Sequence, residues 1–184
     1  MNSGAITSRY AKALLLYSSE CGVGEEVYAQ VEALLKVMEG VPKLKSALQA
    51  TIGFSSDRRL SLVEAALNEG VNPVLSRFLK LVDDNGRTEF IDRILVAFVM
   101  AYRKENNIKV GHLVTACKAD QLREKIERDL GSKTSSTVLI ETQINPEIIG
   151  GFILEIEGKR VDASVAGQIK KIRKALIENN KRII

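Results

Sequence analysis

The sequence predicts an α+β fold in two parts. A six-helix bundle is predicted over residues 1–105, and a small α+β domain over residues 106–184 with the order strand–helix–strand–strand–helix. Apolar residues recur at helical spacing as far as Tyr102, and an apolar–polar alternation begins after Asn106 and Asn107. The first part contains 13 Lys+Arg and 13 Asp+Glu, whereas the second contains 14 and 10 and carries the whole net charge of +4.

The first part consists of amphipathic helices that are separated by glycine, proline and capping residues. Gly22, Gly40 and Gly70 follow the first, second and fourth helices. Asn72 before Pro73 places an N-cap ahead of a proline at the first helical position, which starts the fifth helix. A short third helix spans about residues 43–50. The apolar stripe of the first helix is Ile6, Tyr10, Ala13, Leu14 and Tyr17, and that of the second is Val27, Val31, Leu34, Leu35 and Met38. The fourth helix has Leu60, Val63 and Leu67, the fifth has Leu75, Phe78, Leu79 and Val82, and the sixth has Phe90, Ile91, Ile94, Leu95, Phe98, Val99 and Tyr102.

The second part begins with an alternating segment from Ile108 to Thr115, which predicts a strand. Ile169, Ile172 and Leu176 recur at helical spacing near the end of the chain and are expected to face inward. The elements predicted after the first strand are a helix over 120–130, strands over 137–144 and 148–156, a short strand over 160–162, and a helix over 165–179.

The composition is that of a globular chain with an aliphatic core. The 184 residues are 45% hydrophobic and 27% charged, with no Trp, which is typical of folded domains. Cys21 and Cys117 lie far apart and are expected to behave as small buried hydrophobes rather than as a disulfide. Met1–Arg9 lacks a leader pattern, and no segment approaches the ~18 consecutive apolar residues that a membrane span needs. We therefore expect a soluble, cytosolic chain without a membrane span.

Residues with catalytic chemistry are few. His112 is the sole histidine and is expected to be packed on a strand, so a zinc site would need carboxylates to complete its ligands. Ser164 and Asp162 could join His112 in a hydrolase triad, but no nucleophile elbow surrounds Ser164, and the pair is typical of helix capping. No phosphate-binding loop occurs, and Gly150 with Gly151 indicates a bulge or a close backbone approach. We expect no catalytic residue, metal or cofactor.

The closing helix is basic and opposed only by Glu178. Its cations are Lys170, Lys171, Arg173, Lys174, Lys181 and Arg182. Such a stripe could contact nucleic-acid phosphates, which makes a nucleic-acid adaptor one alternative. No aromatic residue follows Phe152, however, so a stacking platform for single strands is lacking. Cations near a helix C-terminus are also favoured by the helix dipole. A solvated face or a protein contact is the favoured interpretation.

Three segments, taken in order, resemble one family over nearly the whole chain. They are Arg9-Tyr10-Ala11-Lys12-Ala13-Leu14; Phe78-Leu79-Lys80-Leu81-Val82-Asp83-Asp84-Asn85-Gly86-Arg87; and Ile149-Gly150-Gly151-Phe152-Ile153-Leu154 followed by Val161-Asp162-Ala163-Ser164-Val165. Together they resemble the delta subunit of bacterial rotary F-type ATP synthases, the counterpart of the mitochondrial oligomycin-sensitivity-conferring protein. Ala163 departs from the glycine that the family commonly has, which would strain the backbone if this position needs a positive φ.

The resemblance implies a stator function without catalysis. In this family the helical domain holds the N-terminal helices of alpha subunits on the catalytic head, and the C-terminal domain holds the b subunits of the peripheral stalk. The protein thereby keeps the head from turning with the rotor during proton-driven ATP synthesis. The expected location is the cytoplasmic face of the bacterial inner membrane, as a peripheral protein.

The resemblance also implies where the partners bind, with the alpha-subunit groove between the first and fifth helices. The expected groove residues are Tyr10, Ala11, Ala13, Leu14, Tyr17, Phe78, Leu79 and Val82. The candidates for the b-subunit contact are Ile149, Gly150, Gly151, Phe152, Ile169 and Ile172. Most residues of such stripes are expected to form the core of the bundle itself. Under this hypothesis Leu14→Asp abolishes capture of an alpha-subunit N-terminal peptide and leaves the fold intact.

Overall fold

The computed structural model describes residues 3–50, 55–134 and 136–181, and the chain divides into two compact units, Met1–Glu105 and Asn106–Ile184. In its described part the first unit has six α-helices, with a short 3-10 helix at Thr88–Phe90. The helices are α1 Ser3–Glu20, α2 Gly24–Gly40, α3 Pro42–Gln49, α4 Ser56–Leu67, α5 Pro73–Asp84 and α6 Ile91–Glu105.

Helix ends in the first unit follow the capping residues of the sequence. The side chain of Asn72 accepts a hydrogen bond from the backbone N–H of Val74 at 2.9 Å, and Pro73 occupies the first helical position of α5. Gly86 ends the turn after α5 with a φ of +63°, a conformation that glycine adopts at little cost. α5 is therefore defined at both ends by its own sequence.

The first unit has one continuous core. Polar side chains tie its helices together at the edge: buried Arg59 forms an ion pair with Asp83, and the hydroxyl of Ser56 donates to the same carboxylate at 2.6 Å. Asp83 of the second motif thus joins α5 to α4. The buried hydrophobic residues are Ala11, Leu14, Val27, Tyr28, Val31, Leu34, Met38, Leu48, Val63, Val74, Leu75, Phe78, Leu79, Val82, Ile91, Ile94, Leu95, Phe98 and Val99.

The second unit contains a four-stranded sheet with the order β2–β1–β3–β4. β1 pairs with β2 in parallel, which requires a crossover, and α7 provides it. β3 pairs antiparallel with β1 and β4. The elements are β1 Ile108–Thr115, α7 Asp120–Thr134, β2 Thr137–Ile144, a 3-10 helix at Pro146–Ile148, β3 Phe152–Ile156, β4 Lys159–Asp162 and α8 Val165–Lys181.

The predicted order of the second unit was incomplete. The short strand predicted over 160–162 is confirmed as β4, although the predicted strand–helix–strand–strand–helix pattern did not include it. The strand predicted over 148–156 is also shorter, because residues 146–148 form a 3-10 helix and Ile149 has a φ of +68°, which no strand residue adopts. The apolar run from Ile148 therefore mixes a turn and a strand.

The core of the second unit is small. Leu113, Val138 and Ile140 are buried. The partly buried side chains around them come from α7 and from β3: Leu122, Ile126, Leu130, Phe152, Leu154 and Ile156. The prediction that Ile169, Ile172 and Leu176 of α8 face inward was wrong, since all three are exposed. α7 supplies the helical side chains of this core.

Two other sequence expectations, on the cysteines and on His112, were also wrong. Cys21 and Cys117 are free and exposed instead of buried, because one follows the end of α1 and the other lies in the loop after β1. His112 is exposed on β1, with its Nδ1 3.4 Å from a carboxylate oxygen of Glu141. Ala163 does not have a positive φ, so alanine carries no such strain there.

Candidate partner-docking surfaces

A groove between α1 and α5 is the first candidate surface, named here the α1/α5 groove. It has a volume of about 260 Å³ and is lined by Ala13 and Tyr17 of α1 and by Arg77, Phe78 and Leu81 of α5. Leu81 is 48% exposed, so its side chain is available to a partner at the groove. The groove thus combines an apolar wall with an alanine that permits close approach.

Polar and aromatic contacts hold the walls of this groove. The guanidinium of Arg77 donates a hydrogen bond to the hydroxyl oxygen of Tyr17 at 3.1 Å, and this bond raises the pKa of Arg77 above its usual value. The rings of Tyr10 and Phe78 meet edge to face with centroids 6.4 Å apart. These contacts link α1 to α5 without filling the groove.

The expected groove residues separate into two groups. Ala13 and Tyr17 line the groove, Phe78 lines it while remaining mostly buried, and Tyr10 is half-buried beside it. The residues that lie in the core of the first unit are Ala11, Leu14, Leu79 and Val82.

The position of Leu14 bears on the expected effect of Leu14→Asp. Its side chain is 0% exposed, so an aspartate there would place a carboxylate in the core, and the expectation that Leu14→Asp leaves the fold intact was wrong. Sequence reasoning also missed Arg77 and Leu81. Their spacing around Phe78 puts them on neighbouring positions of one helix face, a signal that could have identified both.

The second candidate surface is the apolar stripe of α8, named here the α8 stripe. Its exposed hydrophobic residues lie at helical spacing and are Val165, Ile169, Ile172, Leu176 and Ile177. Ile172 and Leu176 are each 61% exposed. Cations flank the stripe at Lys170, Lys171, Arg173 and Lys174. Arg182 and the side chains of Glu178 and Lys181, which belong to the predicted basic segment, lie outside the described residues.

The turn before β3 presents a further apolar residue. Ile149 is 65% exposed and has a φ of +68°, a conformation that a β-branched residue rarely adopts. A side chain on the next residue, Gly150, would come within 3.4 Å of Val165 at the start of α8. The residue that follows Ile149 therefore lies close to Val165, the first residue of the α8 stripe.

Gly150 and Gly151 allow the start of α8 to approach this turn. The backbone N–H of Val165 donates to the carbonyl oxygen of Gly150 at 3.0 Å, and that of Ala163 donates to Phe152 at 2.9 Å. A Cβ on Gly151 would overlap the carbonyl oxygen of Ala163, and the φ of Gly151 is +73°. The two segments of the third motif thus form one backbone joint, which determines where α8 begins.

Asp162 and Ser164 complete that joint as a helix cap. The hydroxyl of Ser164 donates to Oδ1 of Asp162 at 2.6 Å and accepts from the backbone N–H of Gly167 at 3.0 Å. The hydroxyl and backbone hydrogen bonds from Ser164 lower the pKa of Asp162. His112 lies instead beside Glu141. These contacts describe a cap and do not assemble the hydrolase triad.

The residues expected to contact the b subunits also separate into exposed and partly buried ones. Ile149, Gly151, Ile169 and Ile172 are exposed, whereas Gly150 is half-buried. Phe152 is partly buried and packs against the small core.

Within the described residues, no three His, Cys, Asp or Glu side chains are grouped so that they could hold a metal ion. None of the described helices has the length and apolar character to cross a membrane.

Comparison with known proteins identifies the family. The model of the ATP synthase delta (OSCP) subunit family matches residues 6–176. The chain belongs to this family. It is a structural subunit of ATP synthase and a component of the peripheral stalk.

Individual relatives support the same family over the full length. The ATP synthase subunit delta of Phocaeicola vulgatus is 38% identical, with all of both chains covered, and that of Bacteroides fragilis is 32% identical, again over both chains. The Prochlorococcus marinus protein of the same name is 31% identical and covers 91% of this chain and 94% of its own length.

A solved structure shares the fold. One chain in the cryo-EM structure of the Toxoplasma gondii mitochondrial ATP synthase hexamer aligns with a TM-score of 0.63, covering 93% of this delta-family chain and 97% of that chain. The two sequences are 21% identical, so this likeness concerns the fold alone.

Proposed function

We propose that this delta-family subunit ties the catalytic head of ATP synthase to the b subunits of the stalk through two separate surfaces, one on each unit. The observation that carries the proposal is the pair of exposed apolar surfaces, the α1/α5 groove and the α8 stripe. A tether needs two independent binding sites. We place it at the cytoplasmic face of the bacterial inner membrane, as a peripheral protein.

The α1/α5 groove is proposed to bind the N-terminal helices of alpha subunits. Exposed Leu81 offers apolar area to a helix, and Ala13 lets the backbone of that helix come close. Arg77 adds a charged hydrogen-bond donor at the wall. Ala13, Tyr17, Phe78 and Leu81, rather than the buried Leu14 and Val82, are therefore proposed as the alpha-subunit contacts.

The α8 stripe and Ile149 are proposed to bind the b subunits. Ile169 and Ile172 lie one turn apart on the helix and are both exposed, which suits packing against another helix. The flanking lysines and arginines favour an acidic partner surface. Gly150 and Gly151 contribute through the joint that positions α8, and Phe152 contributes by packing against the small core of the second unit.

The distribution of contacts suits a joint under torque. An exposed ion pair contributes only about 0–1 kcal/mol, so single charge pairs would hold weakly against a sideways force. Apolar contacts along a helix add with the area that they bury, at about 25 cal/mol per Å². Both proposed surfaces present apolar side chains along helices.

The first surface can be tested by titrating the full chain with an alpha-subunit N-terminal peptide in a calorimeter. Leu81→Glu places a carboxylate in the proposed contact and is expected to weaken binding at least about tenfold, since it removes apolar contact and desolvates a charge. Circular dichroism should remain that of the natural chain, because Leu81 is exposed.

The matched control is Leu16→Glu. Leu16 is also a half-exposed leucine of the first unit, at 50% on α1, but it does not line the groove. Peptide affinity should be unchanged in this variant. Equal affinities for Leu81→Glu and the natural chain would remove the α1/α5 groove from the proposal.

A further inference from the structure

A second groove lies on the other side of α1, between α1 and α6, and is named here the α1/α6 groove. It has a volume of about 660 Å³ within the first unit. Its apolar floor is formed by Ala11 and Leu15 of α1 and by Ala97 and Ala101 of α6. At 100° per residue, the α1 residues that line this groove and those that line the α1/α5 groove point in nearly opposite directions. The two grooves are therefore separate surfaces.

The rim of the α1/α6 groove is cationic. Lys12 of α1 and Arg93 and Lys104 of α6 are exposed there, and none of them forms an ion pair with a residue that the structure describes. Of the described residues that line this groove, Glu105 alone carries a carboxylate. α1 has no acidic residue before Glu20. The first unit is neutral as a whole, so this positive rim is a local feature.

We propose that the α1/α6 groove is a second docking site on this unit, and that it binds an amphipathic helix of a partner protein with acidic residues beside its apolar stripe. The lining runs from Gly4 to Leu15 on α1, which at 1.5 Å per residue is about 17 Å and accepts about three helical turns. The apolar stripe of the partner would pack on the alanines, and its carboxylates would meet the three rim cations.

Charge distinguishes this occupant from a second copy of the chain. Among the described helices of a second copy, α8 exposes the most large hydrophobic residues, and its flanking Lys170, Lys171 and Arg173 would face the cationic rim. Like charges across an interface oppose binding. An acidic helix brings the opposite charge to the same positions, and its convex apolar face fits a concave floor between two helices.

The test uses the full chain and a synthetic probe. The probe is a fluorescent, hydrocarbon-stapled helix of about 14 residues with a Leu/Ala stripe and glutamates beside it, long enough for three turns. Its matched partner has lysine in place of every glutamate. The natural chain is expected to bind the glutamate probe at least about tenfold more tightly than the lysine probe, with the difference shrinking at high salt.

A charge swap tests the rim. In the triple variant Lys12→Glu, Arg93→Glu, Lys104→Glu the preference should reverse in favour of the lysine probe. These residues are exposed, so the variant is expected to keep the natural circular dichroism. Equal affinity of the natural chain for both probes, or an unchanged preference in the triple variant, would overturn the proposal.

Two further variants locate the probe. Ala101→Trp fills the floor and should weaken binding of the glutamate probe at least about tenfold, whereas Ala65→Trp on the exposed face of α4 should have no effect. Binding that survives Ala101→Trp contradicts the proposal. So does displacement of the probe by vesicles of phosphatidylglycerol and phosphatidylcholine, which would point to a membrane surface instead. If Ala101→Trp destabilises the unit, the triple charge variant still tests whether the probe binds at this groove.

The two grooves are tested independently. Leu81→Glu, which tests the α1/α5 groove, should leave the affinity for the glutamate probe unchanged, because Leu81 does not line the α1/α6 groove. Conversely, the triple charge variant should still bind the alpha-subunit N-terminal peptide in the α1/α5 groove. Failure of one proposal is therefore distinguishable from failure of the other.

Discussion

The two units differ in how completely they bury their own apolar residues. Among the described residues, nineteen buried hydrophobic side chains form the core cluster of the first unit and three form that of the second. The second unit leaves the α8 stripe and Ile149 exposed, whereas the first has two apolar-lined grooves between packed helices and exposes single large hydrophobic residues elsewhere, such as Leu16 and Met100.

The comparison indicates two different ways of preparing a surface for a partner. In the first unit the helices are already packed, and a partner would fill a groove between them. In the second unit a helix presents its apolar side to solvent, so a partner would complete the packing and add to the unit's stability by mass action. The first unit is therefore expected to be the more stable of the two in isolation.

The largest expected effect comes from breaking the core of the first unit. Leu14→Asp should destabilise this unit by about 4 kcal/mol or more, because an ionised carboxylate would be buried without a partner. All four tyrosines belong to this unit, so tyrosine fluorescence during urea unfolding measures it selectively. Leu16→Asp on the exposed side of α1 should cost less than about 0.5 kcal/mol. Similar midpoints for both variants would contradict the assignment of Leu14 to the core.

The next largest effect comes from the joint that positions α8. Gly151→Ala should destabilise the second unit by about 3 kcal/mol, since the new Cβ would overlap the carbonyl of Ala163 and the φ is positive. Hydrogen exchange of the β3 and α8 amides measures this loss, and the tyrosine signal of the first unit should not change.

Gly158 provides the matched control for this prediction. It has the same φ of +73°, but a Cβ there would have no atom within 4 Å. Gly158→Ala should therefore lower the stability of the second unit only through the positive φ of an alanine, by about 1 kcal/mol. If both variants were equally destabilised, the close approach to Ala163 would not explain the glycine of the third motif.

A smaller effect is expected from the helix cap of α8. Ser164→Ala removes the cap and should cost about 1 kcal/mol. The pKa of Asp162, which Ser164 lowers, should rise towards its ordinary value, as carbon-detected NMR titration can measure. Because the pKa of Asp162 is lowered in the folded chain, its ionised carboxylate stabilises the fold at pH values above the ordinary pKa of about 3.9. This contribution is lost as the pH falls through the pKa of the folded chain. The difference in stability between variant and natural chain should therefore shrink in acid; a constant difference would contradict the role of Asp162.

Most of the fold could be predicted from the sequence because capping residues and apolar periodicity agreed with the elements that form. Asn72 and Pro73 started α5 as predicted, and the alternation from Ile108 gave β1. The turn at Ile149 was missed, because an apolar run of that length is also typical of a strand.

The docking residues were less predictable for a physical reason. Leu14 and Tyr17 belong to the same apolar stripe, yet the first is buried in the core and the second lines a groove. Periodicity identifies an apolar face but not what covers it. The same limit applies to α8, whose stripe was expected to face inward because nothing in its spacing distinguishes a core face from a docking face.

The central claim is that each unit holds a different part of ATP synthase, and its most direct test follows the subunit when the head is washed from membranes. Leu81→Glu should weaken the hold on the head, and Ile172→Glu the hold on the stalk; both side chains are exposed, so neither should unfold the chain. With Leu81→Glu the head should be released while the subunit stays with the membrane. With Ile172→Glu the subunit should leave together with the head, and Leu16→Glu should release neither. The same distribution of subunit and head in both test variants would contradict the claim.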